Sequence, residues 1–496
     1  MIRNLLYLIL LALTFTSCKK DKGSDIDRLR DSVYLYAKEV YLWNDALPDS
    51  KTFNPRQFTG STDLASLQIE IDALSQIKIN NSTGKPYEYN TSNPGTSKYS
   101  YVDQGQAATA VGGTGTDFGF GLSYITLDDL RVRYVYPESS AAKLNIARGD
   151  RVTAVNDEPV TRTSGTASDA VYIRVSNALR NNSIKLGLTR QNGTTYTATV
   201  TKTAYSINPV IKYTTITTAG GKKVGYFAFS RFTTMENASA KIDAAFSYFA
   251  GQNIDEMVVD LRYNGGGAVE TAEYLSNYLV PPAKSGSLMF TEYYNNNMQT
   301  GNIPLFKRKY RIPDGFFSVA KNTVNFAKKG TLNLKRVFFL VTGSTASASE
   351  LLINNLQPAL PNGVQLVGRT TYGKPVGFYG IPLGNASQYD LYLAQSESRN
   401  SQGKADYYQG MVPGGNFSGV VVEDDLTKDF GDPAEAMLAR ALNFIEKGTY
   451  TIAGLRSTSS ENSTENVLLR QANQLLDADQ QFSGAVHTKD LKRINQ

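Results

Sequence analysis

Cysteine, histidine and tryptophan each occur once in the 496 residues, as Cys18, His487 and Trp43. A lone cysteine excludes an intramolecular disulfide and a cysteine-built metal site. The lone histidine lies nine positions before the last residue, so a Ser-His-Asp triad would have to recruit a polar tail. No long basic run accompanies the near balance of 51 Lys and Arg against 45 Asp and Glu, net +6, which argues against nucleic acid as a partner. The N-terminal apolar run, Leu5 to Phe15, is 11 residues long and too short to span a bilayer as a helix.

What is present centres on residues 337–380. Val337 to Val341 is a short run of β-branched, aromatic and aliphatic residues, the pattern of a buried strand. Small residues fill 343–349, and Leu351, Leu352, Asn355 and Leu356 then recur at helical spacing. A strand that passes through small hydroxyl residues into a helix makes a tight elbow. Such an elbow exposes one serine Oγ and aims the next backbone N–H at a ligand. A second strand, Val364 to Val367, leads to Gly373-Lys374. Three serines, Ser344, Ser347 and Ser349, compete for the elbow. The lysine stands 27 positions beyond the middle one. The pattern suggests a Ser–Lys hydrolase, with lysine a better base than the tail histidine.

A third feature precedes the elbow. Met257 to Arg262 is a strand that breaks into Asn264-Gly265-Gly266-Gly267, followed by a helix to Leu279. Three glycines let the backbone approach a ligand closely and turn N–H groups inward. The run lacks the Gly-Lys-Ser/Thr of a P-loop and the spacing of a dinucleotide fingerprint.

Ser344-Thr-Ala-Ser-Ala-Ser-Glu350, Gly368-Arg-Thr-Thr-Tyr-Gly-Lys374 and Asp260-Leu-Arg-Tyr-Asn-Gly-Gly-Gly267 stand in the order found in the C-terminal processing (tail-specific) proteases, peptidase family S41, and resemble them. The stretch from Pro137-Glu-Ser-Ser to Arg151-Val-Thr-Ala-Val-Asn156 resembles a PDZ domain. Together the likeness covers roughly residues 111–445. It implies Ser347 as nucleophile, Lys374 as general base, and an oxyanion hole from Ala348 N–H and the Gly266–Gly267 turn. It implies no metal and no cofactor. It also implies that the loop Gly119, Phe120, Gly121 and Leu122 offers N–H groups to the terminal carboxylate of a peptide, whose strand adds to the sheet. Chemistry constrains the lysine: a free amine with pKa near 10.4 cannot accept the serine proton at neutral pH. Burial beside Tyr372, Val376 and Phe378 can lower it by several units. One departure stands out. The family places Gln four residues after the lysine, and Phe378 stands there, leaving Ser349, Glu350 and Tyr372 as neighbours able to orient the amine. Late in the chain Gly414 replaces the family's Asp.

Arg3, the apolar run and Thr16-Ser17-Cys18 resemble a bacterial lipoprotein signal, with Cys18 as the lipidated first residue of the mature chain. The expected organisation is multidomain α/β (α+β): signal peptide 1–17, tether 18–25, small helical domain 26–110, PDZ-like β domain 111–205, β/α serine-protease core of the ClpP/crotonase-like type 206–450, and a C-terminal extension 451–496 with one helix near 464–477 and no visible chemistry. The expected partners are protein or peptide substrates with free C-termini and, through Cys18, a bacterial envelope membrane. The competing expectation is an inactive S41-fold lipoprotein that captures peptides or other ligands.

Overall fold

A computed structural model of the chain describes residues 24–360, 363–384, 387–452 and 484–487. Cys18, the leader 1–17 and the helix expected near 464–477 lie outside the described residues.

Apolar, β-branched and aromatic runs build the central sheet. In spatial order its strands are Val210–Thr217, Lys223–Phe229, Glu256–Asp260, Arg336–Val341, Val364–Gly368 and Gly419–Val421. The first pair is antiparallel and the remaining pairings are parallel. A parallel sheet is covered on both faces, and its strands must be apolar on both. Residues 337–341 show this: Val337, Phe339 and Val341 face a core shared with helices Met235–Ala250, Val269–Leu279 and Ala348–Leu356. Phe338 and Leu340 face the opposite core, closed by helix Ala436–Lys447. That last helix starts later than Asp432-Pro433 suggests, because those residues form a turn and Glu435 caps the helix by accepting Leu438 N–H at 3.0 Å.

Three neighbouring parallel strands release the chain at one edge: 261–267, 342–347 and 369–374 follow their carboxyl ends. Ligands of open α/β sheets sit at such ends because the diverging loops leave a crevice there. The chain pattern alone therefore gathers the glycine run, the serine elbow and the lysine.

Residues 24–110 begin with helix Asp25–Val40, capped reciprocally by Ser24 and Asp27. Its buried stripe, Leu29, Val33, Ala37 and Val40, packs in one core with Phe306, Phe378, Ile381 and Leu391. Strand Tyr101–Asp103 pairs with Tyr389–Tyr392. This region thus shares its core with the segment that follows Lys374. Residues 120–201 form an antiparallel sheet ordered Thr195–Thr201, Ser183–Thr189, Arg151–Val155, Asp129–Val135 and Phe120–Thr126, the last at the edge.

A buried ion network ties the sheet to the last helix. Arg262 lies 2.6 Å from Asp260, 2.6 Å from Asp424 and 2.9 Å from Glu435, and is 1% exposed. Arg148, from the 111–205 region, reaches Asp424 at 2.8 Å and Tyr263 Oη at 2.6 Å. Burial pushes the Asp424 carboxyl up, but the two guanidiniums outweigh it and hold it at about 2. Arg262→Ala would leave Asp260 and Glu435 buried without their cation. The expected loss is about 3–5 kcal/mol of unfolding free energy, read as a lower urea midpoint with a hydrophobic Arg262→Met variant destabilised as well.

Candidate active site

The elbow is strained at one residue. Ser347 has φ 58° and ψ −109°, while Ala348 opens the helix Ala348–Leu356. A non-glycine residue in this region persists only where its surroundings hold it. Here they do: Ser347 N–H donates to Glu350 Oε2 at 2.8 Å, Ala346 N–H to Asn264 O at 3.1 Å, and Ser349 Oγ–H to the same carbonyl at 3.0 Å. Ser347 Oγ is buried and makes no hydrogen bond among the described residues. Of the three candidate serines, Ser349 is therefore bonded to the glycine-run backbone and Ser347 occupies the turn itself.

Glu350 joins the two motifs. Its Oε2 accepts N–H of both Ser347 and Lys374 at 2.8 Å, so those nitrogens are at most twice that distance apart. Its Oε1 accepts Gly373 N–H at 2.7 Å and the Thr371 hydroxyl at 2.5 Å. Burial raises the Glu350 carboxyl while these donors pull it down, and burial prevails. The glutamate that follows Ser347 by three residues is thus a clasp on the lysine loop's backbone.

Lys374 is 3% exposed. Its Nζ donates to Tyr99 O at 3.4 Å and lies 4.4 Å from the centroid of the Phe378 ring. Burial lowers the amine to about 7, against the opposing pull of Glu88 and Glu350 and with a further push from Lys98. Phe378 occupies the place of an orienting amide as a ring face, which attracts a cation but forms no hydrogen bond. One acceptor the amine does meet is a main-chain carbonyl 275 positions earlier in sequence.

Glu88 is fully buried and accepts Tyr41 Oη–H at 2.8 Å, Ser100 N–H and Oγ–H at 2.7 Å, and Tyr99 N–H at 3.0 Å. It fixes the Tyr99 carbonyl that meets the lysine. The N-terminal region thus supplies Lys374 with its surroundings. A cavity of about 440 Å³ between the two regions is lined by Tyr99, Tyr101, Tyr372 and Lys374.

The glycine run needs one correction. Gly266 N–H donates to Asn264 Oδ1 at 2.9 Å, which removes it as an oxyanion donor. Its role is steric: a Cβ there would meet Ala346 O and Ala348 N at 3.0 Å. Gly267, at φ 137°, presses against Phe232, whose carbonyl a Cβ would meet at 1.9 Å. Of the expected oxyanion donors, Gly267 N–H and Ala348 N–H are left, the latter in the helix's first turn, where no intrahelical acceptor exists. Gly266–Ala268 is also a strand, not only a turn.

The extension 451–496 is not an appendage throughout. Gly484–Val486 inserts between Gly266–Ala268 and Val376–Phe378. His487 sits on the ring of Tyr379, centroids 4.6 Å apart, with Nε2 2.9 Å from Glu292 Oε1. Its partner is thus Glu292. Nothing in the local pattern of the tail signals this.

Gly119 precedes the edge strand Phe120–Thr126, which holds Phe120, Gly121 and Leu122. Gly119 N–H donates to Asp117 Oδ1 at 2.7 Å, so that donor is taken. The edge strand Phe120–Thr126 borders a cavity of about 620 Å³ whose lining includes Phe118, Phe120, Leu179, Lys202 and Arg231. Those two cations are the groups there that suit a carboxylate.

Among the described residues no cluster of His, Cys, Asp and Glu is arranged to hold a metal ion.

Residues 223–411 match peptidase family S41. Over 250 residues, half of this chain, the sequence is 28% identical to a carboxyl-terminal-processing protease of a Picosynechococcus species. The chain spans about half (51%) of that relative's length. Its fold is similar to that of a crystallised candidate S41 protease from Bacteroides fragilis, with a TM-score of 0.56, 23% identity, and coverage of 84% of this chain and 97% of the other.

Proposed function

Proceeding from an S41 peptidase region over residues 223–411, we propose that this chain is a serine endopeptidase that cleaves proteins or peptides through a Ser347–Lys374 dyad. The observation that carries the proposal is the buried Glu350 carboxylate, which holds the N–H of Ser347 and of Lys374 on a single oxygen. A structural lysine gains nothing from desolvation, whereas a base needs it.

Neutral Lys374 accepts the Ser347 Oγ proton as Oγ bonds to the substrate carbonyl carbon. The carbonyl oxygen becomes an oxyanion facing Ala348 N–H and Gly267 N–H. The C–N bond then breaks, and the Lys374 ammonium returns its proton to the departing amine. Water, deprotonated by the same lysine, releases the acyl group and regenerates the serine. Losing one oxyanion donor costs about 3 kcal/mol of transition-state stabilisation.

Recruitment is assigned to the edge strand Phe120–Thr126, where a substrate tail adds alongside and its carboxylate meets Lys202 and Arg231. A fluorescent peptide with a free, apolar C-terminus is expected to bind several-fold more tightly than its C-terminal amide. Equal affinities by anisotropy would remove this role. The mature chain is placed in the cell envelope, anchored through Cys18, and Cys18→Ser is expected to release it from membranes.

The test of the activity is a phosphonylating serine probe followed by peptide mass spectrometry. Wild-type protein should carry the label on Ser347 and fragment an unfolded protein. A protein that is neither labelled nor active, yet still binds peptide, would instead fit a ligand-binding lipoprotein, the reading that Phe378 in place of Gln favours.

A further inference from the structure

The segment Gly484 to His487 lies across the reactive centre as an added strand, parallel to both neighbours. Gly484 N–H donates to Gly265 O at 3.1 Å, and His487 N–H donates to Phe378 O at 2.9 Å. Gly484 pairs with Gly266 and Ala485 with Gly267. In a parallel ladder, a residue that donates to the position before its partner accepts from the position after it. The Gly484 carbonyl is therefore directed at Gly267 N–H. The same oxygen lies 2.6 Å from the point where a Gly266 Cβ would stand, and Ala348 N lies 3.0 Å from that point. One carbonyl of the chain's own tail thus faces Gly267 N–H and lies no farther from Ala348 N than the sum of those two distances.

Three residues further on, the His487 side chain fills a built pocket. Its ring stacks on Tyr379 at 18°, and Nε2 meets Glu292, both side chains being no more than 5% exposed. Glu292 is itself fixed: Tyr294 Oη–H donates to Oε2 at 2.8 Å and Ser398 Oγ–H to Oε1 at 3.3 Å. The adjoining cavity, about 300 Å³, extends between Phe290, Phe316 and Tyr379. A buried carboxylate under an aromatic face selects a planar or cationic N–H donor and rejects a carboxylate.

We propose that Gly484–His487 occupies the substrate track in cis, and that the Glu292–Tyr379 pocket is a subsite for an imidazole or basic side chain three residues beyond the scissile carbonyl. The ligand class is an extended peptide with a small residue at that carbonyl and His, Arg or Lys at the subsite. The tail is then a competitor tethered to the enzyme. The position of the scissile bond rests on the serine-peptidase reading above; the track and its subsite do not.

The experiment uses full-length Ser347→Ala protein, so that binding is read without turnover. Labelled peptides Phe-Ser-Gly-Ala-Val-X-Thr, with X as His, Arg or Glu, are titrated by anisotropy. His487→Glu in this background should expel the tail and tighten binding of the X = His peptide about tenfold, while His487→Arg should leave it weak. In the His487→Glu background, X = His and X = Arg should bind about tenfold more tightly than X = Glu. Adding Glu292→Gln should erase that preference while the X = Glu peptide binds no more weakly. Equal affinity for all three peptides, or no response to either His487 substitution, would overturn the proposal. An intact X preference in a wild-type enzyme that cleaves nothing would sustain the track and instead sink the peptidase reading.

Discussion

Ser347→Ala is expected to abolish fragmentation of an unfolded protein, with a loss in kcat on the order of 10⁶-fold, the scale seen when a serine nucleophile is removed. The expectation rests on the geometry of the turn. Ser347 holds φ 58° between a strand and a helix, with its N–H on Glu350 and its Oγ free of hydrogen bonds among the described residues. Alanine at this position keeps the backbone contacts and the strain, and removes only the hydroxyl. Its urea midpoint should therefore match or slightly exceed the wild type, which separates lost chemistry from lost folding. Ser347→Gly should be equally inactive and more stable than Ser347→Ala by about 1 kcal/mol, because glycine adopts positive φ without the Cβ penalty. Residual cleavage within tenfold of wild type would assign the nucleophile elsewhere, with Ser344 the next residue to test.

Lys374→Met is expected to lower kcat/KM by about 10²–10⁴-fold, the range contributed by a positioned general base. The pH dependence follows from the depressed amine. With its value at about 7, the base is mostly protonated below that pH. Wild-type kcat/KM should rise about tenfold per pH unit below 7 and level off above it, whereas the residual activity of Lys374→Met should lack this inflection. Stability also rises with pH, over a higher range. The folded-state value lies below the unfolded value of 10.5, so burial of the amine costs stability fully below pH 7. That cost shrinks as pH rises from 7 to 10.5 and vanishes above. Lys374→Met should consequently be more stable than wild type at pH 7, and the two should converge above pH 10.5. A wild-type profile with no inflection between pH 6 and 8 would show that the amine is not the titrating base.

The two variants separate the clasp from the chemistry. Glu350 bonds the backbone of Ser347, Gly373 and Lys374, and neither substitution removes those backbone donors. That is why both effects are expected in kcat before KM.

Much of the central sheet can be read locally. Val337–Val341 and Val364–Val367 are strands because short runs rich in β-branched, aromatic and aliphatic residues suit a parallel sheet that buries both faces. The turn into helix Ala348–Leu356 is legible because small residues end the run and a carboxylate follows three positions after Ser347. Glycines 265–267 mark a close approach for the same kind of reason, since a Cβ on Gly267 would meet Phe232 O at 1.9 Å. For the strands and the turn, the cause and the effect lie within a few residues of one another; the glycines announce a close approach without naming the partner, which is 35 positions away.

What folding alone decides is which distant groups meet. Lys374 faces Tyr99 O across 275 positions, and Glu88, which fixes that carbonyl, sits in a segment rich in Asn, Ser, Thr and Gly. Arg262 meets Asp424 across 162 positions. Gly266 N–H is lost to Asn264 Oδ1, a side-chain rotamer that residue type does not specify. The tail strand Gly484–Val486 carries no periodicity; it pairs because Gly266–Ala268 and Val376–Phe378 present free backbone donors and acceptors between them. The sequence by itself therefore determined the strands and the elbow with its candidate serines, all set by local sterics and patterning. The tertiary structure decided the burial of Lys374, the Tyr99 carbonyl its amine meets and the tail strand that joins the glycine run, because desolvation and hydrogen bonding depend on what surrounds a group in space, whatever its distance along the chain.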